Sequence, residues 1–113
     1  MPTDPSYLPG YGHSRALVIG INEYRHLSPL GNAVQDAEGM VERLESTFGF
    51  PSDNISLLLD ENATRHKIMS SFLRFAESDV GRDDRIVVFF AGHGLTRPGF
   101  RGEVGFLVPV DGD

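Results

Sequence analysis

Apolar residues along this chain change their spacing repeatedly, and each change marks an element. After Arg15, the run Ala16-Leu17-Val18-Ile19-Gly20-Ile21 is apolar without alternation. Such a run suits a strand covered on both faces, as in a parallel sheet. Tyr24 to Pro29 reads as a loop broken at Ser28-Pro29. From Asn32 the spacing becomes helical, with Ala33, Ala37, Met40, Val41, Leu44 and Phe48 on one stripe and Glu38, Glu42, Arg43 and Glu45 mostly opposite. Gly49 fits the position just past a helix end, and Pro51 prevents continuation. Ile55 to Leu59 predicts a second buried strand, ended by Asp60-Glu61-Asn62. Thr64 is placed to cap a second helix, whose apolar residues are Ile68, Met69, Phe72, Leu73 and Ala76. Gly81 and Asp83-Asp84 interrupt that pattern before a third strand at Ile86 to Ala91.

Strand, helix, strand, helix, strand is the order of an α/β domain with a mainly parallel sheet and helices on both faces. The segment Gly102 to Val110 predicts one more short strand, with Pro109 placing it at an edge or leading it out of the sheet. Residues 1–14 hold three Pro, two Gly and little periodic apolar content, so they read as a flexible arm, and residues 15–113 as the folded unit. Nothing in the pattern shields the far side of the third strand. An open apolar edge invites pairing with another chain segment, so the expected cover is more of the same domain or a partner.

Composition narrows the classes. The 113 residues are 40% hydrophobic and 23% charged, which is globular and not disordered. Sixteen acids against ten bases give a net charge of −6, the wrong sign for reading a nucleic-acid backbone. No run approaches the roughly 20 apolar residues a membrane helix needs, and no secretory h-region is present, so the expected partners include neither nucleic acid nor membrane and the expected location is cytoplasmic. There is no cysteine, hence no disulfide, thiolate metal site or thiol nucleophile within these residues.

Ligands of open α/β sheets gather beyond the carboxyl ends of the strands. The third strand delivers Ala91-Gly92-His93-Gly94 there. An imidazole between two glycines sits in a loop that turns sharply and lets a substrate backbone approach, and it titrates where acid–base catalysis needs it. A strand-ending turn explains the same residues, so spacing alone leaves both readings standing. His13 falls in the arm, His26 has no second ligand fixed beside it, and His66 falls on the second helix; no pair has metal-ligand spacing. Gly20-Ile21-Asn22-Glu23 carries neither glycine cradle for phosphates. Asp36 lies in the first turn of the first helix, near the end of the sheet where His93 emerges, and the macrodipole is sufficient reason for an acid there.

Four segments, taken in order, carry a resemblance. Arg15-Ala16-Leu17-Val18-Ile19-Gly20-Ile21-Asn22-Glu23-Tyr24, Leu30-Gly31-Asn32-Ala33-Val34-Gln35-Asp36-Ala37, Val87-Val88-Phe89-Phe90-Ala91-Gly92-His93-Gly94 and Gly105-Phe106-Leu107-Val108-Pro109-Val110-Asp111 resemble a caspase-like domain of the metacaspase and bacterial caspase-homologue branch. The resemblance covers about residues 15 to 113. It implies an incomplete caspase-like three-layer sandwich and a cysteine endopeptidase working through a Cys-His dyad on polypeptide substrates. His93 would be the catalytic histidine, and the Gly94 N–H an oxyanion-hole donor, a kind of contact worth roughly 3 kcal/mol of barrier. Leu30 stands where caspases carry an aspartate-reading arginine, while Asp36 matches the metacaspase acid that receives substrate Arg or Lys. Some members require calcium; no residues here are assigned to it, and no other cofactor is expected.

The family's cysteine follows its histidine by about 50 residues, past residue 113, so the 113 residues alone are expected to be inactive. A non-catalytic caspase-like scaffold or signalling module is the alternative, distinguished by whether an Asp-x-Cys-x-Ser-Gly type segment follows. A small nucleotide- or metabolite-binding domain is a third reading.

Overall fold

The computed structural model describes residues 13–77, 84–99 and 102–112. Strands β1 (Ser14–Gly20), β2 (Ile55–Leu59) and β3 (Arg85–Ala91) form a parallel sheet in the order β2-β1-β3. Helices α1 (Ala33–Ser46) and α2 (Arg65–Glu77) make the crossovers. A separate antiparallel hairpin follows, β4 (Gly94–Gly99) with β5 (Gly102–Leu107).

Side chains alternate across a strand, so the continuous apolar run of β1 fills two layers at once. Ala16 and Val18 pack with Ala37 and Leu44 of α1 and with Phe50, while Leu17 and Ile19 pack with Ile21, Ala63 and Val110 on the other face, joined by Ile68 and Phe75 of α2. The helices therefore cover opposite faces, giving the three-layer arrangement. β1 is the hydrogen-bonded centre, and Leu17 is 0% exposed.

The flanking strands differ from β1. β2 is an edge strand and only half-buried, with Leu57 38% exposed. In β3, Val87 and Phe89 pack on the α1 side, whereas Ile86 and Val88 on the other face are 42% and 43% exposed. Among the described residues β3 has β1 as its one strand neighbour, so its outer edge is open.

Polar ties fix the sheet's amino end. Arg85 donates to the Ser14 Oγ and the Phe48 carbonyl and stacks over the Phe50 ring. Arg15 pairs with Asp84 at 3.3 Å. At the end of α1, Gly49 has φ of 70°, the left-handed turn its position predicts.

Several expectations need correction. β1 starts at Ser14, so the strand takes in the last residue read as arm; residues 1–12 lie outside the described residues, as do Gly81 and Asp83. The face of α2 that meets the sheet is Ile68 and Phe75, with the buried Ser71 between them; Met69, Phe72 and Leu73 are exposed. Ser71 takes its place there because its hydroxyl is satisfied by the Lys67 carbonyl, and polarity therefore misplaced the stripe. The side chain of Ala76 lies outside the described residues. The last segment does not extend the main sheet, since β5 pairs with β4, a strand with no apolar alternation and a proline one residue before its end. The chain leaves β5 before Pro109, and Val108 and Val110 turn into the core.

Candidate active site

Loop 21–32 leaves the carboxyl end of β1, and its polar atoms organise the site. Asp60, at the end of β2, has φ of 46°, a conformation aspartate tolerates. Its Oδ1 accepts from the backbone N–H of Asn22 and of Glu23 at 2.8 and 3.0 Å. The Asn22 side chain then caps α1 from outside the helix, its Oδ1 accepting from Ala33 N–H and Val34 N–H at 2.8 and 3.2 Å. Asn32, the residue at the N-cap, makes no side-chain cap bond. Thr64, by contrast, caps α2 through its Oγ1 and the Lys67 N–H, as its position predicts.

The same loop holds His93. The imidazole Nε2 lies 2.8 Å from the Ser28 carbonyl oxygen. A carbonyl only accepts, so Nε2 carries the proton and Nδ1 is left as the basic ring nitrogen. Tyr24 packs edge-on against the imidazole, with ring centroids 4.8 Å apart. Its hydroxyl accepts from the His93 N–H at 2.7 Å and donates to the Val108 carbonyl at 2.9 Å. Burial pushes the Tyr24 phenol above its ordinary value of 10.0, and the His93 N–H donated to it works in the opposite sense.

Gly94 opens β4 opposite Leu107. Val108 N–H donates to the His93 carbonyl at 3.0 Å, so His93 and Val108 occupy a hydrogen-bonded pair position of the extended ladder. Bonded and non-bonded pairs alternate in an antiparallel ladder. Gly94 therefore falls at a non-bonded position, and its N–H points away from β5.

Asp36 lies on the exposed side of the first turn of α1, and among the described residues its carboxylate has no hydrogen-bond partner. It lines an open cleft of about 470 Å³ together with Leu30, Gly31, Asn32 and Ala33 on one side and Phe89, Phe90, Ala91 and Gly92 on the other. The structure thus places Asp36 across one cleft from the strand end that carries His93. His26 and His66 are exposed and take no part. Among the described residues no three His, Asp or Glu side chains converge where an ion could be held.

Tyr24, Asn22, Asp60 and the Ser28 carbonyl were not singled out from the sequence. A main-chain carbonyl carries no side-chain signal at all. Tyr24 left only the hint of an aromatic residue within a polar loop.

The chain matches the family model for the caspase domain over residues 13–113. Metacaspase III c of Phaeodactylum tricornutum is 34% identical over 110 residues, covering 88% of this chain and 33% of that protein. Metacaspase-4 of Arabidopsis thaliana is 31% identical over 107 residues, covering 86% and 26%. The chain thus spans between a quarter and a third of the length of these relatives. Among solved structures, protein GSU0716 of Geobacter sulfurreducens superposes with a TM-score of 0.69 at 25% identity, over 88% of this chain and 40% of that one. Among the described residues no helix is long and apolar enough to cross a membrane.

Proposed function

The chain belongs to the caspase-domain family, and from that premise we propose that it carries the histidine half of a cysteine endopeptidase site directed at Arg or Lys in polypeptide substrates. The observation that carries this reading is the His93 imidazole, fixed at the carboxyl end of the sheet with its Nε2 held by the Ser28 carbonyl.

In the proposed reaction His93 Nδ1 takes the proton of a thiol, and the thiolate attacks the scissile carbonyl. The imidazolium then gives that proton to the leaving amine, and water hydrolyses the thioester. The Gly94 N–H, directed out of the hairpin, suits donation to the tetrahedral oxyanion. Asp36 supplies a negative charge without an internal partner to the cleft beside the strand end, which favours a guanidinium or ammonium. Leu30 in the same cleft offers no cation for a substrate aspartate.

These 113 residues contain no cysteine, so the thiol must come from outside them. The open edge of β3, with exposed Ile86 and Val88 beside it, suits pairing with the segment of the same domain that bears the thiol. Among the described residues no three His, Asp or Glu side chains converge where calcium could be held.

The test is turnover of fluorogenic peptides with Arg, Lys, Asp or Ala before the cleaved bond. Protein containing these residues together with the thiol-bearing segment is expected to cleave the Arg and Lys peptides, and the 113 residues alone none. Turnover by the 113 residues alone, or undiminished turnover after His93→Ala, would defeat the reading.

A further inference from the structure

We infer that Tyr24 is the positioning residue of His93, acting through a hydroxyl inserted into the backbone ladder; its catalytic meaning rests on the peptidase reading above. The register of the hairpin, extended one step past Gly94–Leu107, sets His93 opposite Val108. One half of that pair is made directly, by Val108 N–H donating to the His93 carbonyl at 3.0 Å. The other half would run from His93 N–H to the Val108 carbonyl. The Tyr24 hydroxyl takes both ends of it instead, accepting at 2.7 Å and donating at 2.9 Å.

The consequence is geometric. A direct bond would close the ladder symmetrically and continue the hairpin through His93. The inserted hydroxyl holds the two backbone groups one oxygen apart on one side only. It thereby fixes the orientation of the peptide unit before His93, and with it the direction from which the imidazole leaves the backbone. The Tyr24 ring then meets the imidazole edge-on, and Ser28, four residues further along the same loop, accepts from Nε2. Main chain and side chain of His93 are therefore held by one loop, which Asp60 ties to the end of β2.

Gly92 gives an independent reason to assign this role. A Cβ built on Gly92 would lie 2.5 Å from the Tyr24 hydroxyl oxygen. Only a residue without a side chain leaves room for that oxygen to reach the next N–H. The glycine before the histidine thus serves the tyrosine as well as the turn.

The test compares wild type with Tyr24→Phe, which keeps the ring in the gap and removes the oxygen. Imidazole nitrogen shifts and amide exchange by NMR are read on the 113-residue chain, and steady-state kinetics on protein that also contains the thiol. In wild type the Nε2–H tautomer should dominate. In Tyr24→Phe the tautomers should mix, and His93 amide exchange should accelerate about tenfold relative to the Val108 amide. With the thiol present, kcat should fall about tenfold while KM stays within about twofold. Gly92→Ala, which crowds the hydroxyl without removing it, should give the same tautomer and exchange changes, and it decides the matter if Tyr24→Phe does not fold. Unchanged tautomer and His93 exchange in the folded variant would overturn the inference. Absence of turnover in wild type would instead defeat the peptidase reading and leave the NMR comparison decisive for Tyr24.

Discussion

The two walls of the candidate site, His93 just beyond the end of β3 and Asp36 in the cleft beside that strand end, are built on opposite plans. On the His93 wall, nearly every polar atom is committed: Nε2 to Ser28, the amide to Tyr24, the carbonyl to Val108. On the Asp36 wall, the helix beneath is capped by Asn22, but the carboxylate itself lies exposed without a partner among the described residues. The contrast follows from what each group is proposed to do. Proton transfer depends on sub-ångström placement and on which ring nitrogen holds the proton. Charge recognition depends on a carboxylate that is still unpaired when a cation arrives, and a flexible substrate side chain tolerates some freedom in its partner.

The largest difference between the walls is expected at His93. With the thiol-bearing segment present, His93→Ala should lower kcat by about 10³-fold or more for every peptide, whatever residue precedes the cleaved bond. Its melting temperature should fall only modestly, because the bond from Nε2 to Ser28 is lost while the backbone bonds of residue 93 persist. A loss confined to Arg and Lys peptides would mean that the two walls have been assigned the wrong way round.

Asp36→Ala should behave in the opposite manner. Loss of a charge-assisted contact of about 1.5–3 kcal/mol corresponds to roughly a 10- to 100-fold drop in kcat/KM for Arg and Lys peptides. Peptides with a neutral residue at that position should be cleaved as before. An equal fall for all peptides would show that Asp36 does more than select.

How much of this was open to reading follows the same division. The succession of β1, α1, β2, α2 and β3 and the parallel sheet were legible because long apolar runs and helical spacings survive in sequence. The buried face of α2 was not, since Ser71 takes an apolar residue's place on it. His93 and Asp36 could be named as candidates because an imidazole between two glycines and an acid near a helix start leave side-chain signals; the roles given to them are proposed ones. β4 was not legible: its Gly94-Leu95-Thr96-Arg97-Pro98-Gly99 has no alternation, and it exists as a strand because β5 pairs with it. The holders of His93 were equally silent. Ser28 acts through a carbonyl common to every residue, and Tyr24 acts through an oxygen whose two partners lie 69 and 84 positions away. The cap bonds of α1 left no local signal either, because they come from Asn22, eleven and twelve residues before their donors.

Asn22 joins the walls, since its amide is held by Asp60 and its side chain caps the helix bearing Asp36. Asn22→Ala should therefore cost about 1–2 kcal/mol of stability, the usual loss for a cap. Asn32→Ala, which removes no cap bond, should stay within about 0.5 kcal/mol. Chemical denaturation of the 113-residue chain checks both, and equal losses would remove Asn22 as the link.

The smallest effect isolates the Tyr24 hydroxyl. Its folded-state pKa is raised above 10.0, chiefly by burial, so the folded phenol keeps its proton when the unfolded phenol has begun to lose it. The stability this contributes is complete below the unfolded value and is lost as pH rises from there through the folded value. Wild type should thus lose stability more steeply than Tyr24→Phe between about pH 9 and 11. Tyr7 and Tyr11 are present in both proteins and cancel in the difference. Parallel slopes would mean that the phenol is not sheltered by the fold, and that the hydroxyl between His93 and Val108 is open to water.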